Sequence, residues 1–341
     1  MQQILARQWV LHGFGKAEAG LELQAVSVTA PLPHEVQIRT AAVSLNYRDL
    51  LMLENGMGSP LSFPFVPGSD MAGIVEAVGS EVVAFHPGDR VIASFSPDWI
   101  DGVPEGSARN PPYKALGGFY PGVLSEIVTL PQSWLVRAPV SLSLAEASTL
   151  PCAGLTAWFA LQETARIAPG QSVLVQGTGG VALFGVAIAK AYGAEVFVVS
   201  GDAGKRDRAR ALGAHHSLAR ETWVEEVYAL TQDRGVDHIL ELVGGPHLGR
   251  SLEAVAVGGR ISVIGVLDGF TLSASAGPLL SKSATLQGIS VGHRRALENF
   301  VAAIDEKGIK PVVDAVYPFE EVAQAVAHLR RGPFGKVVVT L

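Results

Sequence analysis

Ser172-Val-Leu-Val-Gln-Gly177-Thr-Gly179-Gly180-Val-Ala182-Leu-Phe-Gly185 is an apolar strand that runs into a glycine-rich turn and then an amphipathic helix. The order of these parts decides the fold. Gly177, Gly179 and Ala182 match the G-x-G-x-x-A spacing, in which the first residue permits a tight turn, the second lets backbone approach a pyrophosphate, and the third lets helix lie close on sheet. Amides of the first helical turn, with the helix dipole behind them, then face negative phosphates. Gly177, Thr178, Gly179, Gly180 and Val181 are the predicted phosphate contacts. A glycine trio alone is a weak signal. Here a helix stop at Gly193 and a second strand, Glu195–Ser200, follow in order, and the reading is a dinucleotide site rather than an ordinary glycine-rich turn.

The second strand ends at Ser200, about twenty residues beyond the turn, where an NAD site places an acid on the adenosine ribose. Ser200 carries no charge to repel a 2′-phosphate, and Lys205 and Arg206 lie a few residues on to neutralise one. NADPH is the cofactor this pattern predicts. Asp202 argues the other way as a ribose ligand, or else caps a helix starting near Gly204.

Working outward, residues 139 to 294 alternate strand-length apolar runs with helical stretches, the pattern of βαβ units around a parallel sheet. Predicted strands are Ser172–Gln176, Glu195–Ser200, Asp237–Val243 and Arg260–Val266, and Leu248, Leu252 and Val255 mark a helical face between the last two. Residues 1 to 138 carry short β-rich segments, the first within Met1–Val10, separated by turn signals such as Pro87–Asp89, and they predict a small barrel-like β domain. Residues 295 to 341 read as helix, loop, helix and a final strand, Lys336–Leu341. Between Ser96 and Pro121 lies a long Pro- and Gly-rich loop holding Trp99, Tyr113 and Tyr120, read as ordered by its aromatics and either a surface loop or a cover for a substrate pocket.

With 341 residues, two domains are the expectation. A net charge of −6 disfavours general nucleic-acid or membrane-surface binding. The single cysteine, Cys152, excludes an intramolecular disulfide and fits a reducing compartment. No apolar run approaches the roughly 18 residues of a membrane span and the N-terminus does not read as a signal peptide, so the cytoplasm is the expected address.

Six stretches carry a family resemblance in their joint order: Ser44-Leu-Asn-Tyr-Arg-Asp-Leu50, Pro64-Phe-Val-Pro-Gly-Ser-Asp-Met-Ala-Gly-Ile-Val-Glu-Ala-Val-Gly79, Pro87-Gly-Asp-Arg-Val91, Leu150-Pro-Cys-Ala-Gly-Leu-Thr-Ala-Trp158, Val175-Gln-Gly-Thr-Gly-Gly-Val181 and Gly335-Lys-Val-Val-Val339. Nearly end to end, the chain resembles the medium-chain dehydrogenase/reductase superfamily, and within it the zinc-independent, quinone-oxidoreductase-like alcohol dehydrogenases. The resemblance implies a GroES-like β-barrel domain, a Rossmann domain with a doubly wound parallel sheet, a C-terminal segment returning to the first domain, and an active site in the cleft between domains. It also implies a homodimer formed through the strand near Leu286–Val291. The chain departs from the zinc pattern: Asn46 stands where zinc members have a cysteine ligand, Gly68-Ser69-Asp70 where they have Gly-His-Glu, and only Cys152 falls at a third ligand position. Catalytic zinc takes three protein ligands, so no zinc is expected.

Without a metal to polarise a carbonyl, hydrogen-bond donors and the substrate itself carry more of the developing charge, which suits a small enone or quinone. Tyr47 is the candidate proton or hydrogen-bond donor, Asn46 the candidate for orienting nicotinamide ribose or carbonyl, and Arg48 a charge stabiliser or a salt-bridge partner of Asp49 or Asp70. Thr156 is expected to touch the cofactor, as are Val243, Gly265 and Val266 at strand ends on the carboxyl edge, while Lys336 either meets a cofactor phosphate or is a surface lysine. The predicted activity is zinc-independent, NADPH-dependent hydride transfer to an enone, quinone or carbonyl. The alternatives are a zinc-free alcohol dehydrogenase or aldehyde reductase, and a cofactor-binding structural or RNA-associated relative with little turnover.

Overall fold

A computed structural model describes residues 4–15, 20–110 and 113–341, and divides the chain into two units, Met1–Leu155 with Gly292–Leu341, and Thr156–Val291. In chain order the first unit opens with β1 (Ile4–Leu11), β2 (Leu21–Val28), β3 (Glu35–Leu45), β4 (Asp70–Val78), β5 (Arg90–Ala93), β6 (Ile127–Pro131) and β7 (Leu135–Arg137). The second unit holds β8 (Ser172–Gln176), β9 (Glu195–Ser200), β10 (His216–Ala219), β11 (Val236–Glu241), β12 (Val255–Val263) and β13 (Thr285–Gly288). The chain then returns to the first unit with β14 (Val313–Pro318) and β15 (Lys336–Thr340).

The first unit is the GroES-like domain: a seven-stranded sheet in the order β14-β15-β3-β4-β5-β7, with β6 also paired to β3. β15 reads Lys-Val-Val-Val-Thr because it lies inside that sheet, parallel to β14 and antiparallel to β3, with its three valines fully buried. Val36, Ile38, Met71, Val91, Leu116, Phe319 and Val337 belong to one apolar core, which the C-terminal segment therefore completes. The loop after Ser96 is held by its aromatics. Trp99 packs edge-on against His293 with ring centroids 5.5 Å apart, and Tyr120 lies against Trp134 at 4.7 Å and donates its hydroxyl to Asp98 at 2.5 Å.

The second unit is the Rossmann domain, a parallel six-stranded sheet in the order β10-β9-β8-β11-β12-β13. The chain winds outward from β8 to β10 and then resumes on the opposite side at β11. The neighbours β8 and β11 therefore flank the switch point, at whose carboxyl edge ligands bind in open sheets of this kind.

Several boundaries differ from the sequence reading. The division between units falls after Leu155 instead of Ala138, because residues 139–155 are bonded into the first unit: the amides of Val140 and Ser141 donate to Asp305, and that of Cys152 to Asp70. The second division falls before Gly292, where His293 and Arg294 engage Trp99, Asp101 and Ser133. The strand expected over Asp237–Val243 stops at Glu241, whose own carboxylate takes the next amides out of the ladder. The strand expected over Arg260–Val266 begins earlier, at Val255, a residue read as part of the preceding helix, and ends at Val263. The strand His216–Ala219 went unrecognised because it is a short edge strand with one fully buried residue, Leu218. The first strand runs over Ile4–Leu11, and Met1, Gln2 and Gln3 of its predicted span lie outside the described residues.

Candidate active site

The Rossmann unit brings most of the predicted cofactor residues to the carboxyl edge of its sheet. Gly177 turns with φ of +81°, and its amide donates to Val199 O at 2.7 Å, tying the turn to β9. A Cβ built on Gly179 would meet no atom within 4 Å, and no side chain caps the following helix Gly180–Ala191. The space before that helix end is open, and its first amides are left for a ligand. Thr178 is buried and Val181 half-buried on either side. Helix lies close on sheet at Gly185 too, where a Cβ would come within 2.7 Å of Leu240, so the close packing assigned to Ala182 is shared with Gly185.

At the end of β9, Ser200 is buried and Asp202 is the N-cap of helix Ala203–Leu212, accepting from the Lys205 amide at 2.9 Å. Of the two readings of Asp202, this geometry is the capping one. Arg206 turns back to donate to Ser200 O at 2.7 Å, and Lys205 lies half-buried on the first turn. A third cation, Arg220, escaped the sequence reading: its Nε lies 3.7 Å from a Cβ built on Gly201. Its signal was hidden with the unrecognised strand that it follows.

Val243 and Val266 are half-buried in the loops after β11 and β12, and Gly265 is required there, because a Cβ would fall 1.7 Å from Leu242 O. Thr156 is buried in the same unit.

Asn46, Tyr47, Arg48 and Lys336 all belong to the first unit. Asn46 caps helix Tyr47–Asn55, and Asp49 reaches back to accept from the Asn46 amide at 2.8 Å. Asn46 Nδ2 donates to Ser69 Oγ at 3.2 Å, and Ser69 Oγ donates to Asp70 Oδ1 at 2.8 Å. Lys336 is not a surface lysine. Only 3 % exposed, it donates to Leu45 O at 2.6 Å and to Asn46 Oδ1 at 2.5 Å. Burial pulls its pKa down, while Asp70, Cys152 and Asp49 oppose that fall. Burial likewise raises Asp70 to about 6 against the pull of Lys336, and pushes the Cys152 thiol up.

Arg48 takes the salt-bridge reading. Its Nη1 meets Asp49 Oδ1 and Leu116 O, each at 3.2 Å, its Nη2 meets Gly117 O at 3.1 Å, and its Nε meets Tyr113 Oη at 3.3 Å. A buried guanidinium so committed fixes the aromatic loop to the helix and is not the charge stabiliser considered from the sequence. Tyr47 differs from its neighbours. It is 45 % exposed, and its hydroxyl has no partner among the described residues.

Residues 32–140 match the family description "Alcohol dehydrogenase GroES-like domain", and residues 180–306 match "Zinc-binding dehydrogenase". The "Zinc-type alcohol dehydrogenase-like protein" of Schizosaccharomyces pombe is 39% identical over 319 residues, covering 91% of each chain. The chain belongs to the medium-chain dehydrogenase/reductase superfamily. Quinone oxidoreductase of Rattus norvegicus is 28% identical to this dehydrogenase/reductase over 99% of both chains. Among solved structures, a candidate alcohol dehydrogenase from Sinorhizobium meliloti 1021 is 59% identical with a TM-score of 0.97 over all of both chains. An NAD-dependent alcohol dehydrogenase is 32% identical with a TM-score of 0.88, covering 98% of this chain and 99% of that one. This dehydrogenase/reductase is an NAD(P)-dependent oxidoreductase, and none of its described helices is long and apolar enough to cross a membrane.

Proposed function

We propose that this chain is a zinc-independent, NADPH-dependent reductase of small enones or quinones. The observation that carries the reading is the buried cluster of Asn46, Ser69, Asp70, Cys152 and the Lys336 ammonium, beside the exposed and unpartnered Tyr47 hydroxyl. An amide, a hydroxyl and one thiol raised by burial are a poor zinc set, and an ammonium bonded to Asn46 adds a positive charge that would repel the ion. Among the described residues, no group of three or more His, Cys, Asp or Glu can hold a metal. The purified protein is expected to carry no stoichiometric zinc, and elemental analysis returning one zinc per chain would overturn this part of the reading.

The cofactor fits the Rossmann edge: the open turn at Gly177–Gly179 and uncapped amides of Gly180 and Val181 suit a pyrophosphate, and Ser200, Lys205 and Arg220 suit a 2′-phosphate. Thr156, Val243, Gly265 and Val266 are the proposed contacts toward the nicotinamide, and Lys336, engaged at Asn46, drops out of the cofactor set. When bound, the dihydronicotinamide supplies a hydride to an electrophilic carbon. The chain's own contribution is to take up the resulting negative charge: Tyr47 donates its proton toward the substrate oxygen, and Asn46, held by Lys336 and Ser69, orients the reacting groups. A conjugated acceptor spreads that charge over an enolate or phenolate, which asks less of two neutral donors than an alkoxide does.

The Lys205→Ala variant is expected to weaken NADPH about tenfold while changing NADH little, since one charge-assisted hydrogen bond is lost. Equal losses for the two nucleotides, read by fluorescence titration, would remove Lys205 from this role. The solved relatives described as alcohol dehydrogenases favour a second reading, action on C–O bonds. Turnover with NADPH against an enone, a quinone and an aldehyde separates them, and aldehyde-only turnover rejects the conjugated acceptor. Tight NADPH binding without turnover would favour a structural or RNA-associated role. The proposed setting is the cytoplasm, supported by the single cysteine. The proposed assembly is a homodimer paired through β13, an edge strand with Leu286 exposed. Sedimentation reading one chain would reject that assembly.

A further inference from the structure

Glu241 is a carboxylate with none of its surface exposed, at the carboxyl end of β11, one step beyond the Leu240–Val175 pair that joins β11 to β8. Its two oxygens are divided between two tasks. Oε1 accepts from the amides of Val243 and Gly244, each at 3.0 Å. Oε2 accepts from Gln176 Nε2 at 2.9 Å and Ser251 Oγ at 2.5 Å, with His247 Nδ1 at 3.4 Å. Gln176 immediately precedes the glycine turn and returns its own Oε1 to the Leu242 amide at 3.1 Å. The Glu241 carbonyl accepts from Ile264 and Gly265 at 2.9 and 3.0 Å, which pins the loop after β12 as well.

We infer that Glu241 is a positioning residue that holds the loops carrying Val243 and Gly265 in register with the glycine turn, and so sets the floor on which the nicotinamide end of the cofactor rests. The inference rests on the proposed nucleotide site. Its chemistry follows from the split between the two oxygens. One oxygen is spent on the loop backbone and the other on the scaffold, so both ends must be acceptors. An amide in its place has one accepting end. Turned one way it presents NH2 to the loop amides, and turned the other way it presents NH2 to the Gln176 amide group. Aspartate keeps the charge but is one methylene too short to reach both. The adenosine end, at Ser200 and Lys205 by the end of β9 and Arg220 beyond β10, lies on the other side of β8 from this carboxylate and need not move with it.

The test compares NADPH with 2′,5′-adenosine diphosphate, which has the adenosine end and no nicotinamide, in full-length wild type and the Glu241→Gln and Ser251→Ala variants. Glu241→Gln is expected to weaken NADPH about tenfold and lower kcat, leaving the adenosine fragment within about twofold. Ser251→Ala, which leaves the charge in place, should show the same split at roughly two- to threefold and serves alone if the first variant does not fold. Parallel weakening of both ligands, weakening of the fragment alone, or no change in either overturns the inference. A wild type that binds neither ligand removes the nucleotide site itself, and the inference with it.

Discussion

Replacing Lys336 with Met is expected to destabilise the protein by about 1 to 3 kcal/mol at neutral pH, the cost of leaving buried polar groups without their partner. The lysine lies in a cluster with Asp70 and with Asp49, which Arg48 also meets, and its ammonium is satisfied by Leu45 O and Asn46 Oδ1. Methionine fills much of the volume. What it removes is the charge and the two donated bonds, leaving Asp70 buried with neutral partners and Asn46 Oδ1 without its donor. The companion Asp70→Asn tests the cause: the Lys336→Met/Asp70→Asn pair should lose clearly less than the sum of the single losses, because neither charge is then left alone. Calorimetric unfolding reads both. A single loss under about 1 kcal/mol, or strict additivity, would mean that the ammonium and the Asp70 carboxylate do not stabilise one another.

Glu241→Gln is expected to flatten part of the acid limb of the stability profile. The native Glu241 carboxyl, for which burial acts upward while His247, Ser251, the Gly244 amide and Gln176 act downward more strongly together, lies at about 2, below the ordinary glutamate value of 4.5. A depressed folded value means that the unfolded chain binds the proton more readily. The stabilisation is therefore complete above pH 4.5 and is lost as pH falls through 2. A displacement of that size corresponds to roughly 3 kcal/mol. The stability gap between wild type and variant should be widest near neutrality and narrow by about that amount toward pH 2. A gap constant from pH 6 to pH 2 would show that the carboxylate is not held as an anion by those donors. The group is wholly buried, so salt should change the gap little.

The residues read most securely from the sequence are those whose evidence is local. Gly177 announces a turn because its positive φ is one that other residues rarely adopt, Gly179 leaves the space before the helix open, and the strands Ser172–Gln176 and Glu195–Ser200 stand with the bounds predicted. The Asp202 cap was legible for the same reason, since its partner is three residues away. Strand ends were legible only where nothing nonlocal intervened. At Glu241 the chain leaves the ladder where Gln176, 66 positions before Leu242, takes the Leu242 amide on its own Oε1, which no periodicity encodes.

The proposed catalytic neighbourhood was half legible. Asn46, Tyr47, Arg48 and Asp49 are adjacent in the chain, so their grouping was visible, but the alternatives left for Arg48 are resolved only by its burial. Arg48 and Tyr47 are consecutive, yet one is sealed under the aromatic loop and the other stands open. Helix Tyr47–Asn55 turns successive side chains about 100° apart, and only the neighbouring loop determines which direction is covered.

By itself, then, the sequence determined the two fold classes, the glycine turn, the departures from the zinc-ligand pattern at Asn46 and Ser69 and the absence of an acid at Ser200, all consequences of residue type at short spacing. The tertiary structure alone decided what Lys336 and Glu241 do. Lys336 meets Asn46 across 290 positions, and Glu241 meets Gln176 across 65. The energy of a charged group is set by whether water or a partner surrounds it, and that surrounding is assembled from strands distant in the chain.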